Sequence, residues 1–209
     1  KRHGGVPAGL HQVLTGAREA GEALVTHPLV PILSATGSTR MGREVIAEMN
    51  RLGFLIDMPH SGERSTLDAI EISRRPIAIT HANPHWWRPA VRNKSDVVLK
   101  ALADSGGMLG LSLYPHHLRD GSACSVASFA EMAARLADEI GIDHIGIGSD
   151  LCQDQPDSVV FWMRDGRWTK TTQAGAGAKA GDGFPPQPEW FRDNRDWPHI
   201  RVALIEAGF

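Results

Sequence analysis

A chain of 209 residues with 42% hydrophobic and 22% charged residues has enough apolar side chains for one good core and a second small one. Its formal net charge of −2 gives no basis for a nucleic-acid partner, and no run approaches the roughly 18 apolar residues of a membrane span. The basic opening KRHGGVPAGL lacks the apolar core of a signal peptide, and Cys124 and Cys152 make neither a disulfide framework nor a CxxC metal knuckle. A reduced, cytoplasmic location is therefore expected, with no anchor signal visible.

Residues 1–40 form a weakly patterned N-terminal segment rich in Gly, Ala, Pro and Thr, with one short helical stretch at about Ala17–Leu24. From residue 41 the organisation sharpens. MGREVIAEMNRL (41–52) places Val45, Ile46, Met49 and Leu52 on one helical face, and Gly53 suits the position just past its end. FLIDM (54–58) is a buried-strand type of run. SGERSTLDAIEISRR (61–75) is a helix opened by a Ser or Thr cap and closed before Pro76, and IAIT (77–80) is the next strand. SDVVLKALADSGG (95–107) is a capped helix ending in glycine, MLGLSL (108–113) a third strand, SVASFAEMAARLADEIG (125–141) a long amphipathic helix, and HIGIGS (144–149) a fourth strand leading to Asp150. A long Gly/Pro/Trp-rich loop at about 152–196 and a helix over 197–208 complete the chain.

The alternation of helix and strand predicts an α/β fold with a parallel sheet. The polar segments follow the strands rather than precede them, and function in such folds sits at the C-terminal ends of the strands. Two strands there deliver a histidine each, His60 in FLIDMPHSG and His81 in IAITHANPH. Two neutral imidazoles on neighbouring strand ends suit zinc or a similar ion. Asp150 falls on the same rim as a ligand or proton carrier, and Arg92 on the loop after the second strand suits a substrate carboxylate. His85, His116 and His117 are expected on loop surface and His144 at the opposite end of the sheet. Trp86, Trp87 and Trp162 are expected to pack the long loops, and Cys152 to be a buried bystander.

NRLGFLIDMPHSG, SRRPIAITHANPH, AVRNKSD and HIGIGSDL resemble the membrane (renal) dipeptidase family, the M19 metallopeptidases. The resemblance implies a (β/α)8 barrel with a binuclear zinc site that hydrolyses dipeptides, often tolerating a D-residue at the C-terminal position. By resemblance, His60 and His81 are the two histidine ligands of one zinc, Arg92 and its neighbour Asn93 serve the substrate carboxylate, and Asn93 shapes that loop. Asp150 is the acid at the end of the last barrel strand, and Thr26-His27 stands where the family has a histidine that polarises the scissile carbonyl.

The departures are as informative. The family's first-strand His-x-Asp has no match, since neither His3 nor His11 has an Asp two residues on, and Glu19 and Glu22 do not stand in for the bridging glutamate. The chain starts at Lys1 rather than Met and ends within a helical pattern. It is expected to be the C-terminal half of the barrel, about four βα units over 41–209, with a truncation or frame disruption before Met41. Four strands alone leave two open edges and an apolar inner face, so self-association or poor stability is expected, with weak or absent dipeptidase activity. A non-catalytic relic or interaction module, and another metal-dependent amidohydrolase, are the alternatives.

Overall fold

The computed structural model describes residues 39–151 and 183–209, together with positions 20, 23, 27, 156–159 and 161. The chain divides into two compact units, Lys1–Phe54 and Leu55–Phe209. In the first, α1 spans Thr39–Leu52. Gly53, at φ 79°, stops it. The amide of Gly53 donates to Asn50 O at 3.2 Å and that of Phe54 to Met49 O at 2.8 Å, the paired bonds of a Schellman C-terminus. A glycine is required there because the positive φ penalises any Cβ. Most of the helix expected at about 17–24 lies outside the described residues.

The second unit is built on a parallel sheet of three strands in the order β1 (Ala78–Ala82), β2 (Met108–Leu111) and β3 (Ile145–Ile147). Helix α2 (Glu63–Ile72) precedes β1, α3 (Asp96–Asp104) joins β1 to β2, α4 (Val126–Ile140) joins β2 to β3, and α5 (Trp197–Glu206) follows. Ser95 and Ser125 cap α3 and α4, accepting from Val98 N and Ser128 N, so the serines before these two helices do what their chemistry suggests. Helix α2 departs from expectation. Its N-cap is Gly62 and no side chain caps it, because Ser61 lies one residue too early and Thr66 instead donates back to Gly62 O at 3.0 Å.

The run FLIDM is not a strand. It makes one parallel bridge, Asp57 opposite Ala78, with Ala78 N donating to Ile56 O and Met58 N to Ala78 O. The next rung is missing because the Thr80 amide donates to the Asp57 carboxylate at 2.9 Å instead of to a backbone carbonyl. The side chain thus ends the ladder, and Pro59 follows.

The core lies between the sheet and its helices. Ile77, Ile79, Leu109 and Leu111 are buried, as are Leu99 and Leu102 of α3 and Phe129, Met132 and Leu136 of α4. Helix α3 packs on β2 and on α4, and α4 packs on α5. The described end of the loop expected to residue 196 is irregular yet packed, and the helix starts at Trp197. Phe191 is fully buried, the Trp190 ring lies 5.5 Å from that of Phe129, and Trp190 Nε1 donates to Cys124 O at 2.6 Å. Large aromatic area buried in this way anchors the segment before α5. Thr80 and Met108 (48% exposed) of the sheet are open, as are Leu55 (63%) and Asp57 on the segment beside β1. Among the described residues no helix is long and apolar enough to cross a membrane.

Candidate active site

The C-terminal rim of this parallel sheet gathers the chemistry. His60 follows the 54–58 segment, His81 lies on β1, Arg92 and Asn93 on the loop after it, His117 on a short 3-10 turn (Pro115–His117) after β2, and Asp150 just after β3. His144 sits at the other end, its Nδ1 2.9 Å from Gly107 O, in the structural role expected of it.

His81 is aimed by an irregularity in β1. Ile79 pairs with Leu109 and Ala82 with Leu111, so three steps on β1 oppose two on β2. Thr80 and His81 form the bulge, a device that bends a strand and redirects a side chain. The Thr80 carbonyl is pressed against Gly110 and Gly148, where a Cβ on either would overlap its oxygen. The result brings His81 Nε2 to 2.8 Å from His60 Nε2, with the rings edge to face at 5.0 Å between centroids.

The tautomers follow from the neighbours. Thr80 Oγ1 donates its single proton to Asp57 Oδ2 at 2.7 Å, so its contact with His81 Nδ1 at 3.1 Å has His81 as donor. The Nε2 lone pair of His81 then faces His60, which donates to it when no ion is bound. Such a carboxylate-linked orientation of one ring nitrogen is what fixes the other for a metal. His60, although exposed, has its pKa lowered from 6.5 to about 4 by partial desolvation and by the Arg92 charge, which keeps it neutral and able to donate a lone pair.

Arg92 and Asp150, both half-buried, sense each other electrostatically. Desolvation pushes the Asp150 carboxyl above its ordinary range while His81 and Arg92 oppose it, and desolvation lowers Arg92 while Asp150 opposes it. Asp150 adopts φ 52°, a left-handed conformation uncommon for a non-glycine residue and frequent at functional turns.

Beneath this rim is a buried polar knot. Asn93 Oδ1 accepts from Asn83 N at 2.9 Å, and its Nδ2 donates to Arg88 O and His117 O. Asn83 donates to Ser112 O and His117 O and accepts from Ser112 N. The Asn93 amide is thus bonded to backbone on both its oxygen and its nitrogen, which suits the loop-shaping role expected of it. His117 corrects an expectation. It is buried, not on the loop surface, with Nδ1 2.8 Å from Ser112 Oγ, Nε2 lacking a partner among the described residues, and burial driving its pKa to about 3. Lys94 is buried too, with three carbonyl oxygens around its ammonium and a pKa lowered to about 8 by desolvation.

Trp86 donates to Glu139 at 3.1 Å under the Arg135 guanidinium, and Trp87 is buried, so both pack rather than wall a pocket. His27 is exposed and belongs to the unit 1–54. His3, His11, Glu19, Glu22, Cys152 and Trp162 lie outside the described residues. Among the described residues no cluster of three or more His, Cys, Asp or Glu side chains is arranged to hold a metal. Two nitrogens on one tetrahedral zinc at about 2.0–2.1 Å stand roughly 3.3 Å apart, so the His60–His81 pair could hold such an ion after opening by about 0.5 Å, as two of its donors.

The profile of the membrane dipeptidases (peptidase family M19) matches residues 16–159. The chain belongs to this family. Dipeptidase tcpJ of Claviceps purpurea is 25% identical over 173 residues, covering 82% of this chain and 34% of its own length. Dipeptidase aclJ of Aspergillus oryzae is 31% identical over 117 residues, 55% of this chain and 28% of its own. The chain therefore spans about a third of the length of these relatives. Among solved structures, an amidohydrolase from Pseudomonas aeruginosa superposes with a TM-score of 0.73 at 28% identity, over 85% of this chain and 53% of its own. A metallo peptidase from Rhodobacter sphaeroides, liganded with a phosphinate mimic of the dipeptide L-Ala-D-Ala, gives 0.62 at 24% identity, over 84% and 42%. The M19 relatives share the parallel α/β fold seen here.

Proposed function

We propose that this chain carries the metal-binding and carboxylate-binding rim of a metal-dependent dipeptidase, on the C-terminal half of a (β/α)8 barrel. The observation that carries the reading is the convergence of two imidazole Nε2 atoms at 2.8 Å, near the Arg92–Asp150 pair, on the C-terminal side of the parallel sheet. His60 and His81 would hold zinc, one ion of the binuclear set that the family resemblance implies. When bound, zinc supplies Lewis acidity for attack of water on a peptide carbonyl.

The chain's own groups do the rest. Arg92 engages the free carboxylate of a dipeptide by its planar fork, which selects short substrates with a terminal carboxylate near the scissile bond. Asp150, its pKa raised by desolvation, takes a proton from the attacking water and returns it to the leaving amine nitrogen. Asn93 keeps the Arg92 loop in place. His27 is proposed, from the resemblance alone, as the donor to the scissile carbonyl oxygen.

A catalytic zinc ordinarily takes three protein ligands, and this pair supplies two. Hydrolysis by the 209-residue chain is therefore expected to be weak or absent, and the same count favours a second reading, a relic that retains the rim without turnover. The test is hydrolysis of a dipeptide with a C-terminal D-residue by the purified chain with and without added zinc, beside Asp150→Asn and Arg92→Met. Zinc-dependent turnover lost in both variants supports the catalytic reading. Zinc binding without turnover supports the relic. Zinc-independent turnover overturns both.

A further inference from the structure

We propose that Lys94 is a positioning residue for His60: its ammonium holds the turn that carries His60 and ties it to the loop that carries Arg92. The inference rests on the reading that His60 holds a metal.

The geometry is specific. Lys94 Nζ donates to Met58 O at 3.3 Å, Pro59 O at 3.2 Å and Ser61 O at 2.8 Å, carbonyls that bracket His60 on both sides. An ammonium has three protons, and all three are used on this one turn. The residue itself is fixed from behind, since its amide donates to Asn83 O at 2.9 Å and its carbonyl accepts from His85 N at 2.8 Å. It is 4% exposed. Desolvating an ammonium is costly, and an apolar side chain would fill the space without that cost.

The turn needs such a fixture because it has little of its own. Strand pairing ends at the single Asp57–Ala78 bridge, Pro59 has no amide to offer, and the one backbone bond within the turn, Ser61 N to Met58 O, is long at 3.4 Å. His60 is exposed, so core packing does not set its direction. The consecutive residues Arg92, Asn93 and Lys94 therefore reach, in order, the carboxylate subsite, the polar knot and the His60 turn. A displacement of the Arg92 loop is transmitted to His60 through one side chain.

The test compares Lys94→Met, which keeps the apolar stem and removes the donors, with Lys94→Arg, which keeps a cation, and Lys100→Met, which removes an exposed lysine on α3. Zinc affinity is read by competition with a chromogenic chelator, the melting temperature by circular dichroism, and the amide exchange of Ser61 by NMR in metal-free protein. The expected result is an affinity loss of about 10–100-fold in Lys94→Met, faster exchange at Ser61, a partial recovery in Lys94→Arg and no change in Lys100→Met. If Lys94→Met fails to fold, Lys94→Gln, with fewer donors, carries the same expectation. Wild-type affinity in a folded Lys94→Met protein overturns the proposal, as does an unchanged Ser61 exchange rate. A wild-type chain whose zinc affinity is insensitive to His60→Ala overturns the metal reading itself, and the Ser61 exchange rate then judges the clamp alone.

Discussion

His117 makes the most quantitative prediction. Its ring is 2% exposed, Nδ1 meets Ser112 Oγ at 2.8 Å, and Nε2 has no partner among the described residues. Burial first, then Arg92 and the nearby histidines, lowers its pKa from 6.5 to about 3. The sign follows from which state binds protons. Below the ordinary value the unfolded chain takes up a proton on this residue, while the folded chain does not until about pH 3. Its neutral burial is therefore fully tolerated above 6.5, and stability is lost as pH falls from there toward 3. At about 1.4 kcal/mol per pH unit, going from about pH 7.5 to about pH 5 removes roughly 2 kcal/mol through this one group. His117→Asn removes the titration while keeping a polar atom near Ser112 Oγ. Urea unfolding of both proteins at the two pH values measures the difference. His60, also lowered to about 4, is present in both and cancels. The wild type should lose roughly 2 kcal/mol more than the variant on acidification. Equal losses would refute the argument that His117 is buried as the neutral ring.

Three further outcomes follow from particular contacts. Gly148→Ala places a Cβ onto the Thr80 carbonyl, so unfolding measurements should show a loss of more than about 2 kcal/mol with weakened metal binding, and a variant of normal stability contradicts the packed bulge. Ser125→Ala removes the cap of α4, and thermal melting should register about 1 kcal/mol of destabilisation, with no change contradicting the cap. The exposed Leu55 and Met108 predict self-association of the purified chain, for which sedimentation velocity at increasing concentration is the measure, and a cooperative, concentration-independent monomer counts against it.

The strand-to-helix alternation from residue 76 onward was legible because each element declares itself locally. β2 and β3 are short apolar runs, α4 is amphipathic, and Ser95 and Ser125 sit where caps belong. His60, His81 and Asp150 were legible as a rim because parallel strands place their exits side by side. What failed to show depends on contacts distant in sequence. The FLIDM run looks like a strand, yet the Asp57 carboxylate takes the Thr80 amide 23 residues away and ends the pairing. His117 reads as a loop residue, yet Asn83 and Asn93 close over its carbonyl and bury it. Nothing in the sequence singles out Lys94, and only the folded turn at 58–61 reveals what its ammonium holds. The bulge that aims His81 leaves one sequence trace, the glycines at 110 and 148, which become meaningful only once Thr80 lies against them.

The proposed joint binding of a metal by His60 and His81 through Nε2 has a direct test. It is long-range nitrogen–proton NMR of the histidine side chains, recorded during zinc titration at about pH 7.5. In metal-free protein His81 should carry its proton on Nδ1, and added zinc should shift the Nε2 resonances of His60 and His81 together while those of His117 and His144 stay in place. Zinc that leaves both Nε2 signals unmoved, or that moves only one of them, contradicts it.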